Sequence, residues 1–143
     1  FQAIPRIGQE VVINFLEGDP DQPIVIGSVY NAGQMPPMEL PGGMNNMCIR
    51  SNTTKGGAGY NELMMGDSAG GQMFFMHAEK DMDIYVKNDF KKTVLVNEDH
   101  RTGGNVTVEV GGNRDITVAG NHTEKIGGNL GLMVGGTLAT VVG

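Results

Sequence analysis

The sequence predicts an all-β fold whose C-terminal part is a trimeric prism. Three observations carry that prediction. Helical periodicity is almost absent from the 143 residues. Glycine occupies 23 positions, more than twice its usual share of about 7%. Finally, Asn97, Asn105, Asn113, Asn121 and Asn129 stand eight residues apart, with β-forming residues between them.

In chain order, "VVINFLEGDPDQPIVIGSVY" reads as two strands, Val11 to Leu16 and Ile24 to Tyr30, rich in β-branched and aromatic residues. The turn between them, "EGDPDQP", carries Gly, Asp and Pro. Asn31 to Asn46 holds three prolines and reads as an extended linker, because proline cannot donate to a ladder. Strands resume with "MCIRS" at Met47. "YNELMM" and "GQMFFMHA" then flank the turn signal "GDSAGG". "MDIYVK" alternates, with Met82, Ile84 and Val86 on one face and Asp83, Tyr85 and Lys87 on the other, as a half-buried strand does.

The octads follow. From the second asparagine on, the preceding residue is glycine: Gly104, Gly112, Gly120 and Gly128, with Gly136 continuing the series before Thr137. Three residues before each asparagine lies an apolar column, Val94, Val110, Val118, Ile126 and Val134, broken only by Thr102. Eight is even, so strand alternation carries through and each column keeps its face. The columns holding Asp99, Asp115, Arg101 and Glu109 are polar and face water until the last repeats. The glycines mark corners, and asparagine tolerates a left-handed conformation beside them. The structural repeat is thus carried by Gly104, Asn105, Val110, Gly112, Asn113, Val118, Gly120, Asn121, Ile126, Gly128, Asn129, Val134 and Gly136.

An octad is one short strand plus one corner, and it cannot bury its inner face alone. Three octads of one chain per turn would give fewer than two turns, too little core to stand. Three chains, each supplying one face, use the length far better. The expectation is a triple-stranded, intertwined parallel β-helix, an obligate homotrimer, whose inter-chain ladders leave no exposed lateral edges.

Composition excludes several classes. A net charge of −6 disfavours nucleic acid and anionic membranes as partners. Cys48 stands alone, so there is no intrachain disulfide framework. It reads as a small buried hydrophobe in a reducing compartment. No apolar run reaches about 18 residues. No signal peptide opens the chain, and Phe1 in place of Met points to an excised piece of a longer protein.

Ligand chemistry fares no better. The phosphate-cradling GxxxxGK[ST] is absent. Calcium-binding repeats need a nonapeptide with aspartate ligands, whereas the period here is eight. His77, His100 and His122 lack HExxH spacing or cysteine partners. The sequence therefore assigns no catalytic, cofactor-binding or metal residue and predicts a protein that is not an enzyme. One interior feature stands out. With the apolar column facing the axis, Arg114, His122 and Glu124 point inward, and threefold symmetry turns each into a ring of three. We expect wet or ion-occupied layers there, because enclosed like charges need compensation. Met35, Met38, Met44 and Met47 around the linker are read as filling irregular space where barrel, neck and needle meet, the alternative being a promiscuous binding surface. At the end of the chain the outward columns turn apolar at Met133, Ala139 and Val141. Such a face is either small-residue packing or a surface covered by a further domain or tip-binding partner.

"FQAIPRIGQEVVINFLEGDPDQPIVIGSVYNAGQMPP", "KGGAGYNELMMGDSAGGQMFFMHAEKDMDIYVKND" and the octads together resemble VgrG, the valine-glycine repeat family of type VI secretion systems. The likeness covers nearly the whole chain. It implies a partial OB-fold barrel over 1–40, a linker and neck strands over 41–88, and the octad needle over 89–143. About two strands cannot complete a five-stranded barrel, so the barrel enters partway. The resemblance further implies a spike that caps a tube of Hcp hexamers, through hub domains this chain lacks. A contractile sheath drives it through a target-cell membrane, with effectors and a PAAR-type protein at its tip. Its location would be the bacterial cytoplasm before firing and the target cell afterwards. Some such spikes carry an iron-binding His-x-His, which this chain does not have. The central spike of a contractile phage tail shares the architecture, though a lysozyme-like insert would mark it. A β-helical acyltransferase would need a hexapeptide period and a catalytic histidine at a subunit groove.

Overall fold

A computed structural model describes residues 3–142, with strands and turns but no α-helix among them. The chain divides into two compact units, Phe1–Phe90 and Lys91–Gly143.

The first unit opens with an antiparallel pair, β1 (Glu10–Phe15) and β2 (Pro23–Val29). Pro23 sits at the first position of its strand, where a missing N–H is tolerated. The register shifts between Val12, opposite Gly27, and Ile13, opposite Val25, so Ile26 is left over as a bulge. Leu16 leaves the ladder and enters a single 3-10 turn, Leu16–Gly18, in which Glu17 and Gly18 have φ of 52° and 78°. Asp19 holds this turn by accepting from the Asp21 amide at 3.0 Å and from Gln22 Nε2 at 2.9 Å. These bonds keep the Asp19 carboxyl below its ordinary range.

The linker holds an isolated bridge, Asn31 to Gln34, and a hydrogen-bonded turn in which the Gly43 amide donates to Glu39 O at 2.7 Å. Beyond it, β3 (Asn46–Asn52), β4 (Tyr60–Gly66) and β5 (Met73–His77) form an antiparallel meander in the order β3-β4-β5. Gly70, with φ of 78°, and the Gly71 amide donating to Ser68 O at 2.9 Å close the β4–β5 turn. Here glycine is needed for its left-handed backbone. Alternation divides the sheet into two faces. Tyr60, Glu62, Met64 and Gly66 lie on the covered face, where Glu62, Met64 and Gly66 are buried. Met47, Ile49, Phe74 and Met76 lie on the other face, which is open.

Among the described residues no further strand forms after His77. The expected strand "MDIYVK" forms no ladder, because this single chain offers no neighbouring strand to pair with it. Instead the chain bends every eight residues, at Glu79–Lys80, Lys87–Asn88, Leu95–Val96 and Gly103–Gly104, and then on to Gly135–Gly136. The bends begin well upstream of the glycine signal.

One expectation is corrected here. The octad corners do not need left-handed backbone. Positive φ occurs at Gly8, Glu17, Gly18, Gly56 and Gly70, and at none of the described octad glycines or asparagines. Leu95 and Val96 bend as well as Gly103 and Gly104 do. A Cβ added at Gly104, Gly112, Gly120, Gly128 or Gly136 would meet nothing within 4 Å. Within one chain, neither torsion nor crowding demands glycine at these corners.

Candidate assembly interface

In the second unit, parity separates the side chains. Val94, Val110, Val118, Ile126 and Val134, each just before a bend, are 40–46% exposed. Other apolar residues at even positions between bends, such as Val108, Ile116 and Leu132, are 60–69% exposed. At odd positions Met133 and Val141 reach 99% and 93%, though Val142 at the chain end is also open at 89%. The even side is thus the sheltered side of each octad, and the residues just before the bends are its most sheltered points. Even there nearly half the surface meets solvent. A unit with so much unburied apolar surface and no ladder among its described residues has not closed its own core.

The sheltered parity also carries charge. Lys92 Nζ donates to Glu98 Oε1 across the Leu95–Val96 bend. That bond, and the ammonium charge behind it, hold the Glu98 carboxyl below its ordinary range, with His100 adding a smaller contribution. His100 Nε2 lies 3.2 Å from Thr102 Oγ1. On the odd side Arg101 Nε donates to Asp99 at 3.1 Å, a pair in open water that contributes little. Arg114, His122 and Glu124 share the sheltered parity and have no hydrogen-bond or ion-pair partner among the described residues.

Sequence reasoning missed a second cluster. Registers Arg50↔Glu62 and Glu62↔His77 align three ionisable side chains in one row across β3, β4 and β5. The Arg50 guanidinium lies 3.6 Å from the Tyr60 ring centroid, a cation–π contact. The Tyr60 and His77 rings stand 4.5 Å apart. His77 Nδ1 donates to the Tyr60 carbonyl at 3.0 Å, which fixes its tautomer. Glu62 is 9% exposed, and its Oε1 has no hydrogen-bond partner. Burial pushes the Cys48 thiol above its ordinary value, and the Glu62 charge adds to that. Alternation in "YNELMM" places Glu62 beside Tyr60 and Met64, but strand register alone reveals Arg50 and His77 as its neighbours. The three histidines are not brought together. Among the described residues, no group of three or more His, Cys, Asp or Glu is placed to hold a metal.

An all-β chain with an unladdered eight-residue repeat, sheltered on one side only, belongs to a class of proteins built to be completed by other chains. The model of the Bacteriophage T4 gp5 C-terminal trimerisation domain family matches residues 47–143, from β3 to the end, and the chain belongs to that family. The type VI secretion system/phage-baseplate injector OB domain matches residues 1–30. Among curated relatives, the chain is 53% identical over 88 residues to the type VI secretion system spike protein VgrG1b of Pseudomonas aeruginosa, covering 60% of this chain and 12% of that protein. It is 52% identical over 88 residues to VgrG1c of the same organism, with the same coverage. To the actin cross-linking toxin VgrG1 of Vibrio cholerae it is 47% identical over 89 residues, 62% of this chain and 8% of that protein. The chain thus spans roughly a tenth of the length of these relatives. The two matches fit the sequence expectation of OB-type strands followed by a trimerising β-repeat, and the VgrG resemblance holds.

Proposed function

We propose that this chain is the barrel-edge, neck and needle portion of a type VI secretion spike and works as a homotrimer. Residues 1–40 contribute to the OB barrel, 41–88 form the linker and neck, and 89–143 form the needle. The observation that carries this reading is the eight-residue bend period with its half-sheltered apolar column, within a match to a trimerisation domain. Three copies supply the ladders each chain lacks, and a closed three-sided rod is stiff because every strand is bonded on both sides. Its work is mechanical: it breaches a target membrane and carries effectors. This portion performs no catalysis. An effector domain such as the one that names the Vibrio cholerae relative would be separate from it. Hcp engages through hub domains outside this chain. The outward Met133 and Val141 support a PAAR-type protein or further domain covering that end. The spike resides in the bacterial cytoplasm before firing and in the target cell afterwards.

Sedimentation equilibrium tests the reading. One chain weighs 15.2 kDa, so the trimer is expected at three times that, about 46 kDa, in an elongated particle. A 15.2 kDa species at micromolar concentration would refute it.

A further inference from the structure

Two polar stretches interrupt the sheltered side of the second unit, and they differ in how their charges are met. In the first, Lys92 and Glu98 pair within one chain. In the second, Arg114 and Glu124 carry opposite charges on the same parity, yet neither has a partner among the described residues of its own chain. Their neighbours on that side are Ile116, Val118, His122 and Ile126, of which only His122 is polar. Enclosing an unpaired charge among such residues costs several kcal/mol, so closure of the prism requires that they be met from elsewhere.

We propose that Arg114 of each chain pairs with Glu124 of the partner subunit, and that this pair sets the axial register of the three chains. The proposal rests on the trimer described above. Threefold geometry supplies the reason. Each corner carries a chain off one face of the prism and onto the next, so the face it leaves is continued by the following octad of a neighbour. Octad 113–118 is thus laddered against octad 121–126 of the partner subunit. Strands lie about 4.8 Å apart and rise about 3.3 Å per residue. His122 of the partner subunit then faces Arg114 directly, and Glu124 of the partner subunit stands two residues further along. The Cα separation is about 8 Å, within reach of an extended arginine and a glutamate. A slip of one octad would instead set Arg114 against Leu130 and Leu132 of the partner subunit, leaving both charges unpaired. Lys92 and Glu98 impose no such penalty, since each chain satisfies them alone. Register is therefore carried by the second polar stretch, not the first.

The test is a charge-reversal cycle on the full chain: Arg114→Glu, Glu124→Arg and the double reversal. Thermal unfolding at fixed protein concentration is paired with sedimentation. Each single reversal is expected to lower the unfolding midpoint by about 5 °C or more, and the double reversal is expected to recover at least half of the loss. A double reversal no better than the weaker single, or single reversals indistinguishable from the parent, would overturn the pairing. That includes the outcome in which Arg114 rings hold an anion instead. If no reversed chain assembles, the milder cycle of Arg114→Gln, Glu124→Gln and their double decides: non-additive losses support the pair, and additive losses overturn it. A monomeric parent chain would sink the trimer itself, whereas a trimeric parent without coupling would sink this pairing alone.

Discussion

Lys92 and Glu98 meet across the Leu95–Val96 bend, so a lysine of one octad neutralises a glutamate of the next within the same chain. The bond is the chain's own link between consecutive repeats. Its chemical signature is the depressed Glu98 carboxyl, caused first by the Lys92 hydrogen bond.

A group whose folded pKa is lowered stabilises the fold above its unfolded pKa and loses that contribution as pH falls through the folded value. For Glu98 the window lies below the usual glutamate value of about 4.3. Replacing Lys92 with Met is expected to return the Glu98 carboxyl toward that value. Side-chain carboxyl NMR through an acid titration measures it, and an unmoved Glu98 midpoint would show that Lys92 is not the cause.

Parity makes a second prediction. Val118→Asp places a charge on the sheltered side and is expected to destabilise the assembled protein by about 3 kcal/mol or more per chain. Thr117→Asp, one residue away on the open side, is expected to change stability by less than about 0.5 kcal/mol. Denaturant unfolding with sedimentation at matched concentration compares the two. Equal losses would show that the alternation does not define an inside.

In the β3–β5 sheet, Arg50→Ala removes the guanidinium from the Tyr60 ring and takes away the cation opposite buried Glu62. A loss of about 1–2 kcal/mol is expected. Arg50→Lys keeps the charge and should lose less. Urea titration of both variants checks the order.

Gly59 and Glu79 supply a fourth. A Cβ at Gly59 would run into the Glu79 side chain, whose Oε2 accepts from the Tyr60 amide at 3.1 Å. Gly59→Ala is expected to displace that carboxylate and cost about 1 kcal/mol. The Tyr60 amide should then exchange faster with solvent, which hydrogen-exchange NMR reads residue by residue.

Much of this molecule was legible in its residues. Val11 to Leu16 and Ile24 to Tyr30 match β1 and β2 to within one residue, because β-branched runs bounded by Asp, Pro and Gly leave little alternative. "GQMFFMHA" contains β5, and "YNELMM" covers β4 except its last residue, Gly66, for the same reason. The octad spacing that starts at Asn97 located the bends from Leu95–Val96 on, whereas the earlier bends at Glu79–Lys80 and Lys87–Asn88 lie before that series and carry no glycine. By sequence, glycine at a corner implies a torsional need. The octad backbone instead keeps negative φ, and an added Cβ would have room.

The sequence by itself determined the strand content, the period of eight and the parity of each column, since all three are local and follow from side-chain alternation along an extended chain. Only the tertiary structure decided which residues meet. Strand register set Arg50, Glu62 and His77 in one row from positions 50, 62 and 77. The path through a bend brought Lys92 to Glu98 while leaving Arg114 and Glu124 apart. Those pairings depend on how distant segments align, and a one-residue change in register would send every side chain to the opposite face.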